Sequence, residues 1–192
     1  DWDNIGRSQN KEDWMLKHEY ARSALKLGLK YEKKLGVNPF KIGLIASSDG
    51  HNSLTTVQED NFFGKFPESN PSETRMDSLM AGRLWEGKYN VASGYAAVWA
   101  RENTREAIFD AMKRREVYAT TGSRITVRFF GGWDFDEDLA ERPHFIAEAY
   151  RKGVPMGGDL LPGPNNSKPR FVVSAAKDAV GANLDRVQVI KG

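Results

Sequence analysis

The apolar positions change their spacing several times along the chain. From residue 11 to 35, Trp14, Leu25 and Leu29 are set among lysines and glutamates, which predicts a helix. Asn10 and Asp13 have the spacing of an N-terminal cap, and Gly36 followed by Pro39 ends the segment. Lys41 to Ala46 is a short, mostly apolar run, expected to be a buried strand of the parallel type. The stretch from Ser47 to Ala97 has no period and carries Gly64, Pro67, Pro71, Gly82, Gly87 and Gly94. A structureless loop of that length is unusual in a compact domain, so Thr74 to Trp85 is expected to form a helix or to wrap a neighbouring surface. Asn103 to Arg115 is a clearer helix: Asn103 can cap it, Glu106 sits three residues on, and Ala107, Ile108, Ala111 and Met112 share one face. Val117 to Thr120 follows as a strand.

From Arg124 the period becomes two. Ile125, Val127 and Phe129 alternate with Thr126, Arg128 and Phe130, and His144–Tyr150, Arg170–Ala176 and Arg186–Ile190 also read as strands. Turns rich in glycine and proline separate them. The expected architecture is an α/β part over residues 1–123 and a small antiparallel β-sheet or sandwich over residues 124–192. The chain opens on Asp1 without Met, and its alternating run Val187–Ile190 reaches almost to the last residue. It therefore reads as a piece of a larger protein, a trimmed or mature chain being the alternative.

Composition narrows the function classes. With 28 basic and 26 acidic residues among 192, the net charge of +2 gives no nucleic-acid footprint. No apolar stretch approaches the length of a spanning helix. The absence of cysteine removes disulfides, thiolate nucleophiles and cysteine-type zinc sites. It leaves the compartment open, and export of a parent protein to the periplasm is compatible with it.

Candidate chemistry concentrates in Ser47-Ser48-Asp49-Gly50-His51-Asn52, directly after the apolar run. In α/β folds, sites are built at the carboxyl ends of strands. In extended chain Asp49 and His51 would point to one side, where a carboxylate and an imidazole can reach one divalent ion. The competing reading is an ordinary turn ordered by Asp49. A catalytic metal centre usually has three or more protein ligands, and the remaining histidines, His18 and His144, read as exposed or structural.

A second segment, Tyr118-Ala119-Thr120-Thr121-Gly122-Ser123-Arg124, combines a strand end, hydroxyls, a glycine and an arginine able to hold an oxyanion. An exposed turn is the plainer reading. Gly153–Asp159 reads as a β-turn with its flanks, and Asp134, Asp136, Glu137 and Asp138 as a solvated acidic loop. Walker, dinucleotide and serine-elbow motifs are missing from the sequence.

Several stretches together resemble the bacterial DUF3604 family, which is related to the PHP (polymerase and histidinol phosphatase) metal-dependent phosphoesterases. They are Gly43–Asn52, Ala97–Ile108, Val117–Ile125, Arg128–Trp133, Gly153–Gly158 and Leu184–Gln188, and they cover most of the chain from about residue 40 onward. The resemblance implies the last elements of a distorted β/α barrel of PHP type, with a metal cluster at the carboxyl ends of its strands. Asp49 and His51 look like the family's aspartate-x-histidine ligand pair, although Gly50 stands between them where threonine is common. The family's early histidine pair and middle ligands have no counterpart here.

The implied function is that of the carboxy-terminal portion of a metal-dependent phosphoesterase-like hydrolase. Asp49 and His51 would hold divalent Mn, Zn or Fe, and Arg124 is the candidate for a substrate oxygen on a small anionic ester. By itself the chain is expected to be inactive, and to associate with the missing part of its own chain or with a second copy. The alternatives are a non-enzymatic interaction or accessory module, and a metal-dependent hydrolase of amides or sulfate esters.

Overall fold

The computed structural model describes residues 12–16, 20–51, 53, 66, 70–77, 79–80, 85–86, 94–164 and 167–191. These belong to two compact units. One comprises residues 1–42, 48–92 and 188–192; the other comprises 43–47 and 93–187. Residues 123 and 124, where the sequence suggests a boundary, both lie in the second unit.

In the first unit, α1 spans Asp13–Leu16 and α2 spans Ala21–Leu35. Gly36 ends α2 as expected: its φ is +76°, a conformation that costs a glycine little, and its N–H reaches the Glu32 carbonyl. The expected cap at Asn10 lies outside the described residues. Of the two expectations for 74–85, a helix or a wrapping segment, the described residues form no helix: residues 73–77 form turns, and Leu79–Met80 (β1) pairs antiparallel with Trp85–Glu86 (β2).

The second unit holds the rest of the regular structure among the described residues. Ala96–Val98 (β3) and Val117–Ala119 (β4) form an antiparallel pair joined through helix α3, Arg105–Lys113. The helix starts one residue later than the sequence suggests, because Thr104 is the cap: its Oγ1 accepts from the Ala107 N–H at 3.3 Å. Ala111 of the predicted apolar face is fully buried, while Met112 and Phe109 are exposed.

A three-stranded antiparallel sheet follows, ordered β6-β5-β7, with β5 at Thr126–Gly132, β6 at Gly153–Pro155 and β7 at Arg170–Ala176. The register pairs Phe130 with both Pro155 and Val172. Alternation along β5 puts Arg128 and Phe130 on one face, toward α4. The core there is Phe130, Phe135, Leu139, Ala149 and Val172, with Phe145 packed against it. Gly132 leaves room for this core: a Cβ at that position would sit 2.8 Å from the Phe135 ring.

Three expected strands are not found. His144–Tyr150 contains most of a helix, α4 at Phe145–Lys152. The apolar residues that matter there are Phe145 and Ala149, four apart on one helical face, and Glu148 pairs with Lys152 at 2.9 Å across one turn. Lys41–Ala46 has no ladder partner among the described residues, and Ile42, Leu44 and Ile45 are about half exposed. Arg186–Ile190 is likewise irregular and exposed. Alternation marks a strand only where another edge is present to take its hydrogen bonds. The fold is thus mixed α/β with small antiparallel sheets, and the described residues form no closed barrel. No described helix is long and apolar enough to cross a membrane.

Candidate functional site

Asp49 and His51 meet, by a route the sequence did not suggest. Asp49 is not extended: its φ is +49°, in the left-handed region that aspartate enters more readily than most residues. The His51 Nε2 then lies 3.1 Å from the Asp49 Oδ1. The Gly50 N–H points to the Ser48 hydroxyl at 3.4 Å, and the Phe66 ring lies 4.7 Å from the imidazole, centroid to centroid. Both side chains of the pair are about half exposed, at 52% and 55%.

The donor set fits a divalent ion in part. Bonds of about 2.0–2.2 Å at tetrahedral or octahedral angles place two donors roughly 3–3.5 Å apart on one ion, which matches the 3.1 Å separation. No group of three or more histidine and acidic side chains able to hold a metal occurs among the described residues. The pair would supply two ligands, where a catalytic centre usually has three or more.

Arg124 belongs to the second unit. Its backbone N–H donates to Asp178 Oδ2 at 2.6 Å, and its guanidinium lies over the Tyr95 ring, 5.4 Å from the centroid. Asp178 also accepts from the Val180 N–H, and these two backbone donors hold its carboxyl below the usual aspartate range. Two of the nearby hydroxyls are structural: Thr120 is buried with its Oγ1 accepting from the Tyr95 N–H, and Tyr118 donates to the Ile125 carbonyl.

The other candidates resolve into packing. His144 is exposed at the start of α4 and its side chain makes no capping bond; His18 lies outside the described residues. The acidic loop is tied down rather than free. Arg142 pairs with Asp136, Asp138 and Glu148 at 2.7–3.1 Å, and Lys152 pairs with Asp136 and Glu148. Lys152, then Arg142, lower the Asp136 carboxyl, and Arg142 lowers Asp138. In the Gly153–Asp159 turn, Asp159 pairs with Arg115 at 3.5 Å. Gly157 has φ +80° and passes so close to the Arg115 carbonyl that a Cβ would lie 2.0 Å from its oxygen.

One cluster escaped the sequence reading. Glu116 immediately precedes β4, is only 3% exposed, and has its carboxylate fully engaged. Arg114 Nε donates to its Oε2 at 3.0 Å, the Tyr150 hydroxyl donates to its Oε1, and Arg128 Nη1 stands 4.0 Å away. Arg128 also donates to the Tyr150 oxygen at 2.9 Å and stacks 3.2 Å over the Trp99 ring. Burial, then the Glu116 carboxylate, raise the Tyr150 hydroxyl above its usual range. The only trace of this in the sequence was a glutamate between an arginine pair and an apolar strand, a pattern common on surfaces.

The molecule so far is a mixed α/β chain carrying a half-exposed carboxylate–imidazole pair and a separate buried charge cluster. Residues 1–192 match the family described as "Protein of unknown function (DUF3604)", and the chain belongs to that family. No curated protein and no solved structure matches it significantly.

Proposed function

We propose that this chain supplies the carboxy-terminal elements of a PHP-related, divalent-metal-dependent hydrolase of small anionic esters. The observation that carries the reading is the 3.1 Å approach of His51 Nε2 to Asp49 Oδ1. That is the spacing of two neighbouring ligands on one ion, at a position an ion can reach from solvent. When bound, Mn, Zn or Fe would acidify a coordinated water and offset charge developing on the ester. Asp49 contributes a hard carboxylate oxygen, and His51 an imidazole nitrogen whose ring rests against Phe66. Within the second unit, Arg124 makes no hydrogen bond or ion pair through its guanidinium among the described residues, and it is proposed as an oxyanion contact in its own right.

Two ligands bind weakly, so the chain alone is proposed to be inactive. Mn titration followed by electron paramagnetic resonance tests this. Weak saturable binding, lost in both Asp49→Ala and His51→Ala, is the expected result. Binding indifferent to both substitutions overturns the site and favours an interaction module. Metal-dependent turnover of p-nitrophenyl phosphate by this chain overturns the two-ligand reading.

The apolar runs left exposed at Ile42, Leu44 and Ile45, and at Val187, Val189 and Ile190, support a second element of the proposal. They pair with the remainder of the protein or with a second copy of this chain. Light scattering of the purified chain distinguishes these: a concentration-dependent dimer supports the copy, and a monomer that binds the remainder in trans supports the other.

A further inference from the structure

The Glu116 cluster forms one wall of a cavity of about 820 Å³ within the second unit. Its charged lining is Arg101, Arg114 and Arg128 against Asp110 and Glu116, three guanidinium groups to two carboxylates. Glu116 is already engaged by two of those arginines and by Tyr150. One positive charge is therefore in excess on the walls, and Arg101 is the group that expresses it. Arg101 lines the cavity, is exposed, and makes no hydrogen bond or ion pair among the described residues.

Arg128 has donor capacity left as well. Its Nη1 serves Tyr150, and its Nε is the buried side-chain nitrogen without a hydrogen-bond partner among the described residues. The frame around these groups is held at several points. The Trp99 indole N–H donates to the Val127 carbonyl at 3.0 Å, and the Trp99 backbone N–H donates to the Glu116 carbonyl at 3.1 Å. Arg114 Nη2 returns to the Trp99 carbonyl at 3.2 Å. Trp99, Ala100, Ala107 and Pro155 complete the lining with apolar surface.

We infer that this cavity binds a small organic oxyanion, an apolar body with a carboxylate or phosphate head directed to Arg101. Cavities of about 300–1,000 Å³ with apolar walls and a few fixed polar groups are typical ligand sites. Arginine is the side chain best suited to a planar oxyanion. The inference is independent of the metal reading, because it uses none of the residues of that site.

The test uses the 192-residue chain without added metal. Benzoate and phenyl phosphate are the probes, benzyl alcohol is the neutral control, and calorimetry at constant ionic strength is the readout. Saturable binding of at least one oxyanion is expected, and which one binds identifies the head group. Arg101→Met is expected to weaken that binding about tenfold, since a charge-assisted bidentate contact is lost. Asp110→Asn, which removes a negative wall charge, is expected to strengthen it about threefold. Opposite signs from two exposed positions distinguish ligand recognition from damage to the fold. Equal binding of benzyl alcohol, absence of saturable binding, or identical affinity in Arg101→Met overturns the inference.

Discussion

Asp49 with His51 and Glu116 with its arginines are both charge constellations, and they differ in what surrounds them. Glu116 is 3% exposed and meets two guanidinium groups and a phenol. Asp49 and His51 are about half exposed, and the ion pair between them is one that exists only when the imidazole is protonated. A buried carboxylate tolerates loss of water only if its partners replace it. A half-exposed pair keeps much of its hydration and depends less on such replacement. Substitutions should therefore affect folding at the first constellation and binding at the second.

The largest effect should come from Glu116→Ala. It leaves Arg128, largely buried, and Arg114, half exposed, without their counter-charge. Breaking a buried pair from one side typically costs about 3–5 kcal/mol, and the exposure of Arg114 puts this case near the lower end. Urea unfolding followed by circular dichroism measures it, and a loss under about 1 kcal/mol would erase the contrast with Asp49.

Next is Tyr150→Phe, which removes a donor from a buried carboxylate and should cost about 1–3 kcal/mol. The pH dependence sharpens it. The Tyr150 hydroxyl is raised above its ordinary 10.0 by burial, then by Glu116. A group raised on folding contributes stability that is present below its unfolded value and lost as pH rises through the folded one. The wild-type chain should lose stability above about pH 10, and Tyr150→Phe should lose less of it over the same range.

These two substitutions also mark what the sequence could and could not reveal. Helices α2 and α3 and strands β4, β5 and β7 were legible because their signals are local: a glycine stop at Gly36, an apolar face including Ala111, alternation at Val127–Phe130. Helix α4 was misread as a strand because a short apolar run fits both periods until its neighbours decide, here Phe130 and Val172. The run at 41–46 was misread because strand pairing is not a property of one segment. For the candidate site, Asp49 and His51 were legible as types at a spacing, but the left-handed turn that joins them was not. The Glu116 cluster was invisible, since it joins residues 34 apart through the packing of α4 on β5.

A third comparison lies between these extremes. Asp136 and Glu148 are lowered from ordinary values of 3.8 and 4.5 by Lys152, then Arg142, and Asp138 is lowered from 3.8 by Arg142. Carboxylates lowered on folding contribute stability that is present above their unfolded values and lost as pH falls through the folded ones. Acid unfolding of the chain should therefore begin below about pH 4.5. Arg142→Met should flatten the pH dependence in that window and lower stability at pH 7 by the same amount, a small one because these groups are solvated. An unchanged acid limb would show that the network is an ornament of the surface.

The smallest stability effect should be at Asp49→Ala, within about 0.5 kcal/mol of wild type, as is usual for half-exposed surface side chains. Relief of the left-handed backbone does not follow from this change, since alanine enters that region less readily than aspartate. Asp49→Gly separates the two terms: it relaxes the backbone and removes the carboxylate together. Both variants should lose Mn binding, and Asp49→Gly should be the more stable of the two. If Asp49→Ala instead unfolds the chain as Glu116→Ala does, Asp49 is part of the framework. The contrast between a constellation that holds the fold and one that is half exposed to solvent would then be gone.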